Sequence, residues 1–464
     1  MRATLVSLGN SARYRVSLLF DGSPSTAPDN DRYDVLSFLP AAESSGGAVQ
    51  PRSVTVVIPV YRDLEATCAC LESVLSSTAI SLGEVIVVDD ASPEPAVSAY
   101  LDKLAADGSI RLVRNEENLG FVASVNRGME QAGAADVVLL NSDTVVAGDW
   151  LDRMASHVRL GLKVGTVTPF SNSATICSYP TIEGGFELPP DETVAGVDAA
   201  FAEANIGRAA RIPTAVGFCM FISRACLSDV GLFDVETFKQ GYGEENDFCL
   251  RATKRGWQHL LAADTFVWHK GEVSFGAAAK RLQAAAVEVL ESRYPGYLKE
   301  VAQHVEYDSA RPWRVAATAA RFRRGARPVV LLVTHALGTG TEKHLLDVCR
   351  RYGGEARFLI LQPTLEGPIR LWCPDPSEGL DLRWRLPAGV ESLAALVRSF
   401  GVTRAHVHHT LGLPLDLREL LRLLDVPFDV TVHDFYNICP RVRLAKPVGR
   451  YCGGPEEELS LIHI

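Results

Sequence analysis

No apolar run in this sequence approaches the roughly 20 residues that a bilayer-spanning helix needs. The longest, such as Val329–Val333, are the size of a single strand. The first residues, MRATLVSLGNSARYRVSLLF, hold one early Arg but no continuous apolar stretch and no small-residue cleavage pattern. A secretory signal is therefore not expected, and a cytoplasmic location is. Cysteine offers no zinc grid: the 10 Cys are scattered, and the closest pair is Cys68 and Cys70. Reduced thiols, many of them buried, are the expected state. Basic residues are not in excess, since the formal net charge is -10. Nucleic-acid binding needs clustered Lys and Arg to neutralise phosphates, so no nucleic-acid partner is expected. No strand is followed by GxGxxG, which argues against a dinucleotide-dependent dehydrogenase. Apolar residues themselves are not scarce. At 47% hydrophobic and 22% charged over 464 residues, the chain can build cores for two or three domains.

Residues 1–50 end in SSGGAVQ, with PRS following, and read as an N-terminal segment and linker. From Val54 the pattern changes. VTVVIPV is a β-branched run of the kind buried on both faces of a parallel sheet. Residues 63–77 read as a helix with Leu64, Cys68, Leu71 and Leu75 on one stripe. EVIVVDD is a second strand, a helix covers about 94–106, and IRLVRN is a third strand. FVASVNRGMEQAG is helical and ADVVLLNSD is a further strand. Strands alternating with helices predict an α/β fold with a mainly parallel sheet. Its polar residues gather at the C-terminal strand ends, where ligands of such sheets bind. A basic, helix-forming connector is expected over 301–328. A second α/β unit then begins with VVLLVTHA, followed by a helix near 342–352, ARFLILQP, TRAHVHHT and FDVTVHD.

Three acidic segments can share one pocket of the first unit. They are Asp89-Asp90 in VVDDAS, Asn141-Ser142-Asp143 in LLNSDT, and GYGEENDFCLR with Glu244, Glu245 and Asp247. His269 follows in VWHKG. Carboxylates and an imidazole at strand ends suit a divalent cation that bridges a diphosphate. Mg²⁺ prefers oxygen ligands, and Mn²⁺ accepts a histidine nitrogen more readily. Taken singly, each segment also has a structural reading as a cap, a turn or a charged first helical turn.

The order of these segments resembles glycosyltransferase family 2, with its GT-A fold, and within it the bacterial rhamnosyltransferase-like enzymes. The residues that carry the resemblance are VVIPVYRD, VIVVDDAS, NLGFVASVNRGM, VVLLNSDT, VGFCMFISRACLSDVGLFDVETFKQGYGEENDFCLRATKRG and VWHKGEVSF. They lie within 54–275, about half the chain, and imply a GT-A domain over 51–300. The resemblance implies that Pro59, Tyr61 and Asp89 line the nucleobase and ribose site, with Asp90 nearby. Asn118, Gly120 and Asn126 would shape the nucleotide-sugar pocket. The family's DXD motif reads NSD here, so Asn141 replaces the first acid and Asp143 is left to hold Mn²⁺ or Mg²⁺. His269 would complete the metal shell. The family's ED pair is matched by Glu244-Glu245, with Glu245 as general base and Glu244 and Asp247 beside it.

The implied reaction is an inverting transfer of a sugar from a nucleoside-diphosphate sugar (a UDP- or dTDP-sugar). The implied acceptor is a glycan or a lipid-linked saccharide, in bacterial cell-surface polysaccharide synthesis. A lipid-linked acceptor would bring peripheral association with the inner face of the membrane. Two rivals are a nucleotidyltransferase and a degenerate, non-catalytic module that binds glycan or nucleotide-sugar. The first should show a Gly- and basic-rich phosphate loop after the first strand, which VVIPVYRD is not. Asn141 is the feature that favours the second.

The second unit, 329–464, resembles the N-terminal Rossmann-like half of a GT-B glycosyltransferase of the family 4 kind. HALGTGTEKHLLDV, AHVHHTLGL and TVHDFYNICPRVRL carry that likeness. Gly338-Thr339-Gly340 can meet a phosphate or simply make a tight turn. His406, His408 and His409 read as a metal cluster or as a strand end facing a cleft. The Glu-rich half of such enzymes is not seen, so this unit is expected to be incomplete and inactive.

Overall fold

The computed structural model describes residues 53–433, apart from 159–162, 240, 272–275, 339, 365–368 and 385–388. The segment expected over 1–50, Thr339 of the glycine turn, and the residues beyond 433 lie outside the described residues. The chain packs as two units that divide between Ala317 and Thr318.

The first unit opens with β1 (Val54–Val60), α1 (Leu64–Leu75), β2 (Leu82–Asp89), α2 (Pro95–Ala106) and β3 (Arg111–Arg114). Next come α3 (Phe121–Gln131), β4 (Asp136–Leu140), β5 (Thr144–Val145), α4 (Trp150–Val158) and β6 (Val164–Phe170). It continues through α5 (Val194–Ala204), β7 (Ala209–Ile212), β8 (Cys219–Ile222), α6 (Arg224–Val230) and α7 (Val235–Phe238). Then follow α8 (Glu244–Lys254), β9 (Gln258–Phe266), β10 (Trp268–His269), α9 (Gly276–Arg293) and α10 (Tyr297–Tyr307), and α11 (Arg311–Arg324) begins in this unit and ends in the second.

Eight strands form one sheet in the order β3-β2-β1-β4-β8-β6-β9-β7. β3, β2, β1 and β4 are parallel, as the alternating pattern predicts. The expectation of a mainly parallel sheet needs correction beyond them. β8 runs antiparallel between β4 and β6, and β7 lies antiparallel to β9, so the sheet is mixed. This is an α/β fold with a mixed sheet.

Period-two alternation explains why β1 is apolar at all but Thr55. Val54, Val56, Ile58 and Val60 pack in one core cluster with Leu71, Val74 and Trp150. Val57 packs in the other, with Val122, Val125 and Met129 of α3. Both faces are thus covered. Gly128 allows the close approach of α3, since a Cβ there would stand 2.2 Å from Val57 Cγ1.

The residues expected as a connector are mostly helical, and their first part is core. Arg314 is 2% exposed. Its Nε donates to the Ser178 carbonyl at 2.6 Å, its guanidinium pairs with Asp308, and it lies over the Phe170 ring. Arg314→Ala is therefore expected to destabilise the first unit by about 3 kcal/mol, because carbonyls and a carboxylate lose their partner. A urea midpoint equal to that of the wild type would show that this stretch is only a linker.

The second unit contains β11 (Val329–Val333), α12 (Gly340–Tyr352), β12 (Arg357–Pro363), β13 (Ile369–Trp372) and β14 (Asp381–Trp384). It ends, within the described residues, with α13 (Gly389–Ser399), β15 (Val402–Val407), α14 (Leu417–Leu424) and β16 (Phe428–Val430). Its sheet order is β14-β13-β12-β11-β15-β16. The strands read from sequence are parallel to one another, and the antiparallel pair β13 and β14 extends the sheet past β12.

Among the described residues no group of three or more His, Cys, Asp or Glu is arranged to hold a metal. The metal reading of His406, His408 and His409 is thereby corrected. His408 is 1% exposed at the end of β15, with Nδ1 3.0 Å from His433 Nε2. Burial, helped by the neighbouring imidazoles, depresses its pKa to about 4. A histidine with a depressed folded pKa binds its proton more readily when unfolded. Stability is therefore complete above about pH 6.5 and falls as the pH drops toward 4. The loss from His408 alone should reach about 3 kcal/mol. Denaturant titrations at pH 7 and pH 4.5 should show it, and the difference should shrink in His408→Asn.

Candidate active site

A two-stranded ribbon, β5 against β10, builds the centre of the site. His269 pairs with Thr144 and Trp268 with Val145, antiparallel. The Lys270 N–H donates to the Asp143 carbonyl at 2.9 Å. Two segments more than 120 residues apart thus bring Asp143 Oδ1 to 3.4 Å from His269 Nε2.

His269 is held in one orientation. Its Nδ1 lies 2.8 Å from the Ser173 carbonyl, so that nitrogen carries the hydrogen and donates. Nε2 is then the nitrogen that faces Asp143. Asn172 clamps the backbone of His269, accepting its N–H and donating to its carbonyl, each at 2.8 Å. Phe218 stacks on the ring, with centroids 5.2 Å apart. A backbone carbonyl on the second ring nitrogen is a usual partner of metal-binding histidines. Burial disfavours the charged ring, but Asp143 and the Ser173 carbonyl together raise the His269 pKa above its usual value. Burial likewise works against the Asp143 carboxylate, and His269 more than offsets it, leaving that pKa below the usual one.

Asn141 stands on the same turn. Its N–H donates to the Phe218 carbonyl at 2.9 Å, and its own carbonyl accepts from Thr144 Oγ1 at 2.7 Å. Asn141, Asp143 and His269 offer amide oxygen, carboxylate oxygen and imidazole nitrogen. That donor set fits Mn²⁺, or Mg²⁺ with more water, and leaves positions for phosphate oxygens.

Glu244 and Glu245 open α8. Gly243 before them has φ 100, and a Cβ there would stand 2.9 Å from Phe238 Cε1. Only glycine takes that position without strain. Glu245 lies beside Gly217, where even an added Cβ would touch its carboxyl group at 3.8 Å. The next residue, Phe218, is the one stacked on His269 and bonded to Asn141. The segment Gly217-Phe218 therefore gathers the carboxylate, the imidazole and the NSD turn. One carboxylate oxygen of each Glu is buried without a hydrogen bond among the described residues. Burial raises both pKa values, and Glu244, which also feels the Glu245 charge, is raised well above its usual value. Backbone N–H groups at the start of α8 offset part of the rise at Glu245.

Asp247 does not join this pair, and its grouping with the catalytic acids needs correction. It is 1% exposed and fully engaged. Arg251 Nε donates to Oδ2 at 2.7 Å, while Arg293 Nη1 and Tyr294 OH donate to Oδ1 at 3.0 and 2.8 Å. It ties α8 to α9.

The remaining predicted residues form a second group at the ends of β1 and β2. The register sets Val60 beside Asp89. Pro59 is half-buried just before it, and Tyr61, just after it, is 37% exposed. Asp89 accepts from Arg114 Nε and from the Ser92 N–H, each at 2.9 Å. Asp90 accepts from Asn115 Nδ2 at 2.7 Å, the Leu119 N–H at 2.8 Å and the Gly120 N–H at 3.0 Å. Asn118 is exposed and caps Gly120 through its side-chain oxygen. Asp90 thus shapes the 118–120 loop from below. Asn126 is 8% exposed, and both ends of its amide bind the backbone of Phe233. It fastens α3 to the backbone just before α7.

Sequence reasoning missed Asn172, Ser173, Gly217, Phe218 and Arg114. The run SNSAT after the strand VGTVTPF, polar where a strand ends, was the one available signal for the first two.

Residues 55–180 match the family model described as Glycosyl transferase family 2, so this stretch carries a family 2 glycosyltransferase domain. Asp89, Asn141 and Asp143 fall inside the match; Glu245 and His269 lie beyond it. Glycosyltransferase AglE of Haloferax volcanii is 25% identical over 229 residues, 49% of this chain and 70% of AglE. Polypeptide N-acetylgalactosaminyltransferase 16 of Mus musculus is 24% identical over 200 residues, 40% of this chain and 34% of that protein. The chain thus spans about a third of the length of the mouse protein. Among solved structures, GalNAc-T7 with UDP, GalNAc and Mn2+ overlaps 55% of this chain and 57% of that one, at 15% identity and TM-score 0.40.

Proposed function

We propose, from the family 2 domain and the geometry around Phe218, that the first unit is an inverting, metal-dependent glycosyltransferase using a nucleoside-diphosphate sugar. The observation that carries this reading is the Asp143–His269 pair at 3.4 Å on the β5–β10 ribbon. In this reading Asp143 and His269 hold Mn²⁺ or Mg²⁺, with Asn141 as a neutral oxygen donor. The cation would offset negative charge on the leaving diphosphate. Asp89 and Tyr61 hold the nucleoside, and the 118–120 loop borders it. Glu245 takes the proton from an acceptor hydroxyl as it attacks the anomeric carbon. A single base beside one displacement inverts that carbon, and no nucleophilic carboxylate is required. The acceptor class is a glycan or lipid-linked saccharide of a bacterial surface polysaccharide.

No helix among the described residues is long and apolar enough to cross a membrane. A peripheral site of action remains part of the proposal, as does a GT-B-like second unit.

The test is a panel of UDP-, dTDP- and GDP-sugars with saccharide acceptors, followed by proton NMR of the product. The reading expects the anomeric configuration opposite to that of the donor, and retention would sink the mechanism. A second reading, a non-catalytic nucleotide-sugar-binding module, draws on Asn141 standing where an acid is expected. It predicts donor binding without release of nucleoside diphosphate.

A further inference from the structure

Lys270 follows His269 on the ribbon, and its ammonium reaches the end of β1. There Nζ lies 3.1 Å from Asp63 Oδ2. The lysine side chain is 49% exposed and that of Asp63 22%. Asp63 does not depend on the lysine for its position. Its Oδ1 accepts from the Ala66 N–H at 3.0 Å, capping α1. Its φ of 69 is a left-handed conformation that few non-glycine residues adopt, Asp among them. A fixed carboxylate on the β1 loop therefore holds a flexible cation that belongs to the ribbon carrying Asp143 and His269.

An ion pair this exposed is weak, being screened by water and salt. A lysine ammonium is also a compact charge on a long stem, free to change partners. A diphosphate seated at Asp143 and His269 would present several charged oxygens beside it, a stronger partner than one carboxylate.

The geometry points to Lys270 as a diphosphate-binding group that leaves Asp63 for the donor's phosphate oxygens, with Asp63 as its competitor. This assignment rests on the donor reading above. Lys270 then adds to donor affinity and offsets charge on the leaving group. Asp63 lowers donor affinity, because the pair must part before the lysine can engage.

The test is calorimetric titration of the full chain with UDP, dTDP and GDP in the presence of Mn²⁺. Lys270→Met should weaken binding of the preferred diphosphate on the order of tenfold. Asp63→Asn keeps a capping side chain but loses the charge, and should tighten binding by about two- to fivefold. The double variant should bind like Lys270→Met. The gain in Asp63→Asn should fade at high salt. Unchanged binding by Lys270→Met, or weakening by Asp63→Asn equal to that of Lys270→Met, overturns the exchange. A wild type that binds none of the three diphosphates removes the donor reading and this assignment together. A wild type that binds, with Lys270→Met unchanged, removes the assignment alone.

Discussion

Glu245→Gln is expected to lower turnover by about 10²–10⁴-fold while donor affinity stays near that of the wild type. An acceptor hydroxyl is a poor nucleophile unless its proton is removed as it attacks. Three acids stand at the start of α8, and packing separates their roles. Asp247 already accepts from Arg251, Arg293 and Tyr294 and is 1% exposed. Glu244 is 4% exposed, and burial raises its pKa. Glu245, whose pKa burial also raises, lies beside Gly217, the residue before the Phe218 that stacks on His269.

Its raised pKa has a pH consequence. A base acts when deprotonated, so the acid limb of kcat/KM should fall above the ordinary Glu range, with activity rising as pH rises through it. That limb should vanish in Glu245→Gln. Asp247→Asn should instead act through stability, with a lower melting temperature and kcat largely kept in the folded fraction. Near-normal turnover in Glu245→Gln would remove Glu245 from this role.

The second large effect concerns Asp143. Asp143→Ala should reduce turnover by about 10³-fold or more, because charge on the leaving diphosphate would lose its counter-ion. His269→Ala should behave differently. It keeps the carboxylate, so its defect should lie in Mn²⁺ affinity and be partly recovered at high Mn²⁺. The Ser173 carbonyl and the Asn172 clamp, which orient the ring, argue that the histidine is built as a ligand rather than as a general acid. If Mn²⁺ binding, followed by its paramagnetic signal, were equal in wild type and Asp143→Ala, the metal assignment would fail.

These residues differ in how far the sequence revealed them. The parallel half of the first sheet was legible, because strands buried on both faces must be almost continuously apolar. The stripe read on α1 holds only at Leu71, since the buried face is Ala66, Thr67, Cys70, Leu71 and Val74 and Leu75 is 37% exposed. VTVVIPV, EVIVVDD and ADVVLLNSD became β1, β2 and β4 with their polar ends at one sheet edge. The antiparallel entry of β8 was not legible, since its four residues, CMFI, read like any buried strand.

The site divides in the same way. Asp89, Asp90, Asp143, Glu245 and His269 stand out in the sequence as candidates by residue type and motif. What brings Asp143 to His269 is a pairing of two two-residue strands, too short to leave a periodic signal. Gly217-Phe218 carries no chemistry-bearing side chain, yet it touches three of the groups. Asp247 looked like its neighbours in GYGEEND and was set apart only by Arg293 and Tyr294, more than 40 residues away. Asn126 was separated in the same manner by Phe233.

The central claim is that a cation at Asp143 and His269 serves the transfer of a sugar from a nucleoside diphosphate. Nucleoside-diphosphate release from the preferred sugar donor, measured with Mn²⁺ and again in excess chelator, tests it most directly. The account predicts acceptor-dependent release with Mn²⁺ and its loss by about 10³-fold under chelation. Release that continues at the same rate in chelator would contradict it.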